Sequence, residues 1–324
     1  MASTILFSPP MPTMIMDVAR AMVPPGFEFV PADRRSPTFL GALPEAEYWM
    51  GFARAGLDKE FFTTARRLKL VQLISAGYDT IDLAAARAAG VPIANNGGAN
   101  AISVAEHTVM LMLAVLKRMV WCHANVCAGK WRVGGFDEHV LYELSGKTVG
   151  IIGLGRIGKK VARRVQAFDA RVQYHDIVRL TEDEEDALGV RFVLLDELLR
   201  TSDIVTTHVP LNDATRGLMS TREFALMKPG AIYINTCRGP VVDEAALEKA
   251  ITSKHLGGAG LDVMVDEPPQ PGHPFFGLDN VIITPHMAGP TWENWPRAFR
   301  NGFDNIQRVA AGRPPLWVIP ELAR

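Results

Sequence analysis

The chain has 324 residues, 48% of them hydrophobic and 21% charged, which at roughly 150 residues per domain is enough for two globular domains with substantial cores. Lys and Arg number 34 against 35 Asp and Glu, a formal charge of −1, so the charge balance gives no reason to seek a polyanion and argues against a dedicated nucleic-acid binder. Cys122, Cys127 and Cys237 are too few to staple such a chain and match no zinc spacing, which makes a reducing cytoplasm the simplest compartment and leaves no metal expected.

The start, Met1 to Pro10, has no basic segment, and Pro9 and Pro10 interrupt its apolar run, so no targeting signal is expected. Short apolar runs follow at Thr4–Phe7, Phe27–Val30, Tyr48–Phe52, Leu70–Ile74 and Val91–Ala94, with helical patterns at Asp58–Arg67 and Ile81–Ala89 between several of them. Gly90-Val91-Pro92 is a helix stop. Such alternation predicts parallel strands with helices on both faces. A long helix is expected from about Ala101 to Val126. Its uncharged core, Thr108–Leu116, lies between Glu106-His107 and Lys117-Arg118, far short of the ~20 apolar residues of a membrane span, and reads as a buried helix.

A second, stronger series begins at Thr148–Ile152 and continues through Arg171–Tyr174, Ile204–His208, Ala231–Asn235, Gly258–Leu261 and Val281–Thr284. Bare Val/Ile-rich runs of this kind suit strands buried on both faces. The acidic run Glu182–Asp186 reads as a solvated loop or helix start. A last helix is expected near Thr291, as its N-cap. The pattern as a whole predicts two doubly wound, parallel-sheet α/β domains with a small-molecule site in the cleft between them.

The segment Thr148-Val-Gly-Ile-Ile-Gly-Leu-Gly-Arg-Ile-Gly158 follows a strand and opens a helix expected to run from Arg156 to Phe168. The next strand ends at Asp176, 23 residues past Gly153. That is the full context of a dinucleotide fingerprint. Gly153 allows the tight turn, Gly155 admits the pyrophosphate, and Gly158 lets helix and strand pack closely. Asp176 suits the two hydroxyls of an adenosine ribose and repels a 2′-phosphate, which favours NAD over NADP, although Arg179 nearby offers that phosphate a partner.

Three further segments end predicted strands. Ile234-Asn-Thr-Cys-Arg-Gly-Pro-Val-Val-Asp-Glu244 carries Arg238, Gly260-Leu-Asp-Val-Met-Val-Asp-Glu-Pro268 carries Glu267, and Ile283-Thr-Pro-His-Met-Ala-Gly289 carries His286. Carboxyl ends of parallel strands are where open α/β sheets bind ligands. Together with Ser75-Ala-Gly-Tyr-Asp79, Val104-Ala-Glu-His-Thr108 and the glycine fingerprint, and with spacings of 29 and then 19 residues from Arg238 to Glu267 to His286, they resemble the D-isomer-specific 2-hydroxyacid dehydrogenase family over nearly the whole chain.

The resemblance implies two Rossmann-like domains, residues 1–100 with 291–324 for the substrate and 101–290 for NAD, and a homodimer built around the long helix and the segment after it. It also implies reversible NAD-linked reduction of a small 2-keto acid, such as glyoxylate or hydroxypyruvate, to the D-2-hydroxy acid. In that chemistry His286 is the acid/base, because imidazole titrates near neutral pH. Glu267 pairs with it and sets its tautomer, and Arg238 binds the substrate carboxylate and the keto oxygen. Ser75, Ala76 and Gly77 are implied to hold the carboxylate's other edge. Val104, Arg156, Ile157, His208, Val209, Pro210, Thr236, Cys237, Asp262 and His286 join the glycines and Asp176 along the cofactor, with Asp262 orienting the carboxamide. Cys237 is not expected to act as a nucleophile.

The chain also departs from the family pattern. Ala94-Asn-Asn-Gly-Gly-Ala-Asn100 replaces the usual Thr-Pro-Gly-x-Asn, and Thr291-Trp-Glu-Asn-Trp-Pro296 is unusually aromatic. Trp292 and Trp295, three apart on a helix start, are expected to share a face, for core or dimer packing rather than a substrate wall, and Tyr78 either packs or lines the pocket. Formate dehydrogenases of this fold carry glutamine at the position of Glu267. Phosphite dehydrogenases share Cys-Arg-Gly-x-Val-Val-Asp-Glu but use lysine at the position of Ala76. An NADH-sensing corepressor of the same fold is the binding-module alternative, and the chain has no long disordered tail that would favour it.

Overall fold

The computed structural model describes residues 2–131 and 139–323. The chain folds into two compact units, Met1–Asn100 with Pro290–Arg324, and Ala101–Gly289. The first unit holds β1 (Ser3–Ser8), β2 (Phe27–Pro31), β3 (Tyr48–Gly51), β4 (Leu70–Leu73) and β5 (Ile93–Ala94). The second holds β6 (Thr148–Ile152), β7 (Arg171–His175), β8 (Val190–Phe192), β9 (Ile204–Thr207), β10 (Ile232–Asn235), β11 (Gly258–Leu261) and β12 (Val281–Ile283).

In the first unit the strands lie in the order β2-β1-β3-β4-β5, all parallel. β3 and β4 are buried at every position. The C-terminal helix Asn294–Ala310 lays Trp295, Phe299, Phe303 and Ile306 into a core shared with Ile5, Phe7 and Met50. The chain end returns along β5, where Ile319 N–H donates to the Ile93 carbonyl at 3.0 Å and Asn95 N–H to the Trp317 carbonyl at 3.0 Å.

In the second unit the parallel order is β12-β11-β10-β9-β6-β7-β8. The winding reverses between β6 and β9, the switch point at which such sheets open a crevice. β9, β10 and β11 are buried throughout, as expected for strands covered by helices on both faces. β10, β11 and β12 are successive neighbours in register, so the loops leaving their carboxyl ends are adjacent.

Three local expectations are corrected and one is narrowed. The long helix is two helices, Ala101–Leu116 and Met119–Cys127, bent by 63° where Arg118 takes a left-handed φ of 49°, a conformation that breaks the helical hydrogen-bond ladder and that propensity alone does not reveal. No single helix among the described residues is long and apolar enough to cross a membrane. Of the two readings of the acidic run, the helix start holds: it opens the helix Glu182–Leu188 with a Thr181–Glu184 capping box. Within it Glu185 is buried and accepts from the Tyr174 hydroxyl at 3.0 Å and from Arg179 at 2.9 Å, so this carboxylate is not simply solvated. The last helix starts at Asn294 with Glu293 as N-cap. Trp292 precedes it and is exposed while Trp295 is buried, so the two do not share a helix face. The short edge strand β8 is not among the expected strands, although Val190, Phe192 and the following Val193, Leu194 and Leu195 are apolar.

Candidate active site

The loop after β6 is shaped by its glycines. Gly153 has φ +92°, and a Cβ there would lie 2.7 Å from the His208 carbonyl oxygen at the end of β9. A Cβ at Gly158 would run into the Gly153 carbonyl. Gly155, by contrast, faces open space. It is the N-cap of Arg156–Gln166 and offers no side-chain cap, so the first N–H groups of that helix, at Arg156, Ile157 and Gly158, await an anion. A loop closed on two sides and open on the third fits a dinucleotide pyrophosphate.

Asp176 closes the same site. Its Oδ2 accepts the Leu154 N–H at 2.7 Å and its Oδ1 the Val178 N–H at 3.0 Å, which fixes the carboxylate against the glycine loop. The guanidinium of Arg179 is committed elsewhere: Nε donates to Glu185 at 2.9 Å and the group lies over the Phe192 ring at 5.2 Å. The partner that a 2′-phosphate would need is thus engaged, and the site fits NAD. Ile177 is 99% exposed beside Asp176, an apolar surface absent from the sequence-based expectations. Its position directly after the acidic strand end was the available signal.

His208 directly follows β9 and precedes the partly buried Val209 and exposed Pro210. Its Nε2 lies 3.0 Å from Thr206 Oγ1, and its Nδ1 is buried with no partner among the described residues. Burial pushes its pKa down to about 3, so the ring is neutral. An orphaned ring nitrogen at the mouth of the switch point is what a site shaped for a polar ligand leaves behind.

The three adjacent strand ends carry the remaining groups. After β10, Asn235 ties the turn: its Oδ1 accepts the Cys237 N–H at 3.0 Å and its Nδ2 donates to the Arg238 carbonyl at 2.9 Å. Arg238 donates to the Cys237 carbonyl at 2.7 Å. The Thr236 hydroxyl is paired with that of Thr108 at 3.0 Å, which leaves its backbone for a ligand. Burial pushes the Cys237 thiol up, so it stays protonated and is a poor nucleophile. Val104 is buried on the helix that carries Thr108.

After β11 and β12 the structure brings Glu267 and His286 together. Glu267 Oε2 lies 2.8 Å from His286 Nδ1, and its Oε1 accepts the Met264 N–H at 3.3 Å. With Nδ1–H donated to a carboxylate, Nε2 is the nitrogen left to exchange a proton. His286 is held in the left-handed region, φ +56°. Asp262, 1% exposed, grips that turn: its carbonyl accepts the His286 N–H at 2.8 Å and its carboxylate those of Met287 and Ala288 at 2.8 and 2.9 Å. Arg238 sits on the neighbouring strand end. In the first unit, the turn after β4 carries Ser75, Ala76 and Gly77. Ser75 Oγ donates to the Gly77 carbonyl at 3.2 Å, and the Ser75 carbonyl accepts the Asn96 N–H at 3.1 Å. Tyr78 donates to Glu321 at 3.2 Å, which ties this turn to the chain end. Burial and that carboxylate push its pKa up to about 12.

Comparison with known proteins accords with this geometry. Residues 109–288 match the D-isomer specific 2-hydroxyacid dehydrogenase, NAD binding domain. A glyoxylate reductase of Korarchaeum cryptofilum (strain OPF8) is 38% identical over 270 residues, 83% of this chain and 81% of that protein. A D-3-phosphoglycerate dehydrogenase of Archaeoglobus fulgidus is 39% identical over 84% of this chain, but the chain spans only 51% of that relative's length. The crystal structure of D-lactate dehydrogenase from Aquifex aeolicus, complexed with NAD and lactic acid, superposes with a TM-score of 0.81 at 30% identity over 96% of both chains. The chain belongs to the D-isomer specific 2-hydroxyacid dehydrogenase family and is an NAD-dependent oxidoreductase of that class.

Proposed function

We propose that the protein reduces a small 2-keto acid of the glyoxylate or hydroxypyruvate kind to the D-2-hydroxy acid, reversibly. Bound NADH supplies the hydride. His286 delivers the proton to the oxygen that becomes the hydroxyl and takes it back in the reverse direction. Glu267 keeps the imidazole in the Nδ1–H tautomer and balances its charge when it is protonated. Arg238 binds the carboxylate and stabilises the developing alkoxide. The Ser75-Ala76-Gly77 turn is assigned to the same carboxylate on resemblance. Substrate binding is assigned to the unit of residues 1–100 with the C-terminal segment, and cofactor binding to the unit of β6–β12. Asp262 is assigned to the carboxamide and Ile177 to the adenosine.

The observation that carries the proposal is the 2.8 Å Glu267–His286 bond, formed on strand ends next to the one that carries Arg238. Similarity to glyoxylate reductases at 38% identity supports the substrate class. A homodimer is supported by the exposed apolar residues Met119, Val120 and Val126 on the second half of the broken helix and Val140, Leu141 and Tyr142 beyond it. The three free cysteines suit a reducing compartment. The test is a panel of 2-keto acids assayed by NADH absorbance at 340 nm, with NADPH in parallel. Turnover of glyoxylate or hydroxypyruvate with NADH is expected. Intact NADH binding with no turnover across the panel would make the protein a dinucleotide sensor instead.

A further inference from the structure

A partly buried polar chain reaches the His286 loop. His107 sits on the largely apolar helix Ala101–Leu116, beside Glu106 and Thr108, with its side chain 15% exposed. Its Nε2 lies 2.8 Å from Thr284 Oγ1, and Thr284 Oγ1 donates to Asp262 Oδ1 at 2.6 Å. An ionised carboxylate only accepts, so the threonine proton points at Asp262 and His107 must donate from Nε2. Burial lowers the pKa of His107, against the pull of Asp262, which keeps the ring neutral and leaves Nε2 its one proton. The imidazole therefore donates toward the threonine hydroxyl, with Asp262 Oδ1 itself 3.4 Å from the same nitrogen, and the hydroxyl donates to the carboxylate.

Its end is the turn on which the proposed acid/base stands. Asp262 receives the N–H groups of Met287 and Ala288 and, through its carbonyl, that of His286. The left-handed backbone of His286 costs about 1 kcal/mol or more, and persists only where its surroundings over-determine it. A leucine at position 107 would suit the apolar helix as well as histidine does, so stability alone does not explain the imidazole.

We propose that His107 and Thr284 are positioning residues for the proton-transfer step, holding the Asp262 carboxylate in the orientation that sets the His286 turn. The inference rests on the assignment of His286 as acid/base. Displacement of a reacting group by about 1 Å costs on the order of a hundredfold in rate, so Thr284→Val and His107→Leu are expected to lower kcat about tenfold to a hundredfold. The thermal midpoint should stay close to the parent's, and NADH affinity, read by quenching of protein fluorescence, should fall by much less than kcat, the small change expected because Asp262 is also assigned to the carboxamide. Thr284→Ser and His107→Gln, which keep the donors, should recover most of the parental kcat. Parental kcat in Thr284→Val and His107→Leu overturns the inference. So does a loss matched by weaker NADH binding or lower stability, or one that the conservative variants share. His286→Ala in the same assays separates the two levels: if it turns over, the acid/base assignment itself has failed, and if it is inactive while Thr284→Val is normal, only the positioning role has.

Discussion

Gly239 lies directly against the backbone of Met264: a Cβ at Gly239 would overlap the Met264 carbonyl group and crowd the Val265 nitrogen. This contact presses the turn that follows Arg238 against the turn that leads to Glu267. Glu244 holds the same turn from its other side, accepting the Val265 N–H at 2.6 Å, with His273 3.3 Å from its second oxygen. Gly239→Ala should therefore displace the Glu267 turn and lower kcat/KM by about a hundredfold, with the rest of the fold intact. Steady-state kinetics beside a thermal melt check this, and an alanine variant with parental kinetics would show that the turn has slack.

His286→Ala should remove turnover by the 10²- to 10⁴-fold typical of a lost general acid/base, while NADH still quenches protein fluorescence. Turnover retained near the parental rate would return the imidazole to a structural role.

Glu267→Gln keeps the shape and an acceptor for Nδ1–H but loses the charge beside His286. A fall in kcat smaller than that of His286→Ala, about tenfold to a hundredfold, is expected with little change in NADH affinity. Equal kcat in the two proteins would separate the carboxylate from catalysis.

Asp176→Ser removes the negative charge proposed to face the adenosine ribose and half of the pair of bonds to Leu154 and Val178. NADH affinity should fall and the ratio of NADPH to NADH turnover should rise, by roughly tenfold for about 1.4 kcal/mol of lost discrimination. The increase should be limited by Arg179, which Glu185 holds. An unchanged cofactor ratio would place the discrimination elsewhere.

Stability should depend on acid through Asp203. Burial acts to raise its pKa, but the Lys228 ammonium and the Thr148 N–H, at 2.8 Å, outweigh this and hold it below the usual carboxylate range. A lowered folded-state pKa means that the stabilisation is complete above the unfolded value of about 3.9 and is lost as pH falls through the folded value. Asp203→Asn should be less stable than the parent by about 1–2 kcal/mol at pH 7, and the gap should narrow below about pH 4. Urea melts at both pH values measure it, and a gap independent of pH would exclude the charge as its cause.

Much of this protein is legible without coordinates, because its strongest signals are local. A Val/Ile run bounded by turn residues makes a buried strand wherever it occurs, as β9 and β10 do. The glycine spacing states backbone requirements at Gly153 and Gly158, where a Cβ would clash, and leaves open space at Gly155. Strand order is supplied by the structure, and it is why Arg238, Glu267 and His286, 48 positions apart end to end, follow neighbouring strands.

What tertiary structure alone decides is which polar groups are spent on one another. The kink at Arg118 is a single backbone angle that no composition signals. Glu185 reads as one more charge in an acidic run until Tyr174 and Arg179 meet it from other elements. Asp262, Thr284 and His107 come from three separate segments, and His107 looks like a helix residue of no consequence until folding turns its ring onto the Thr284 hydroxyl. Periodicity reports only whether a face is apolar. Hydrogen bonds are short and directional, so their partners exist only once the chain is packed.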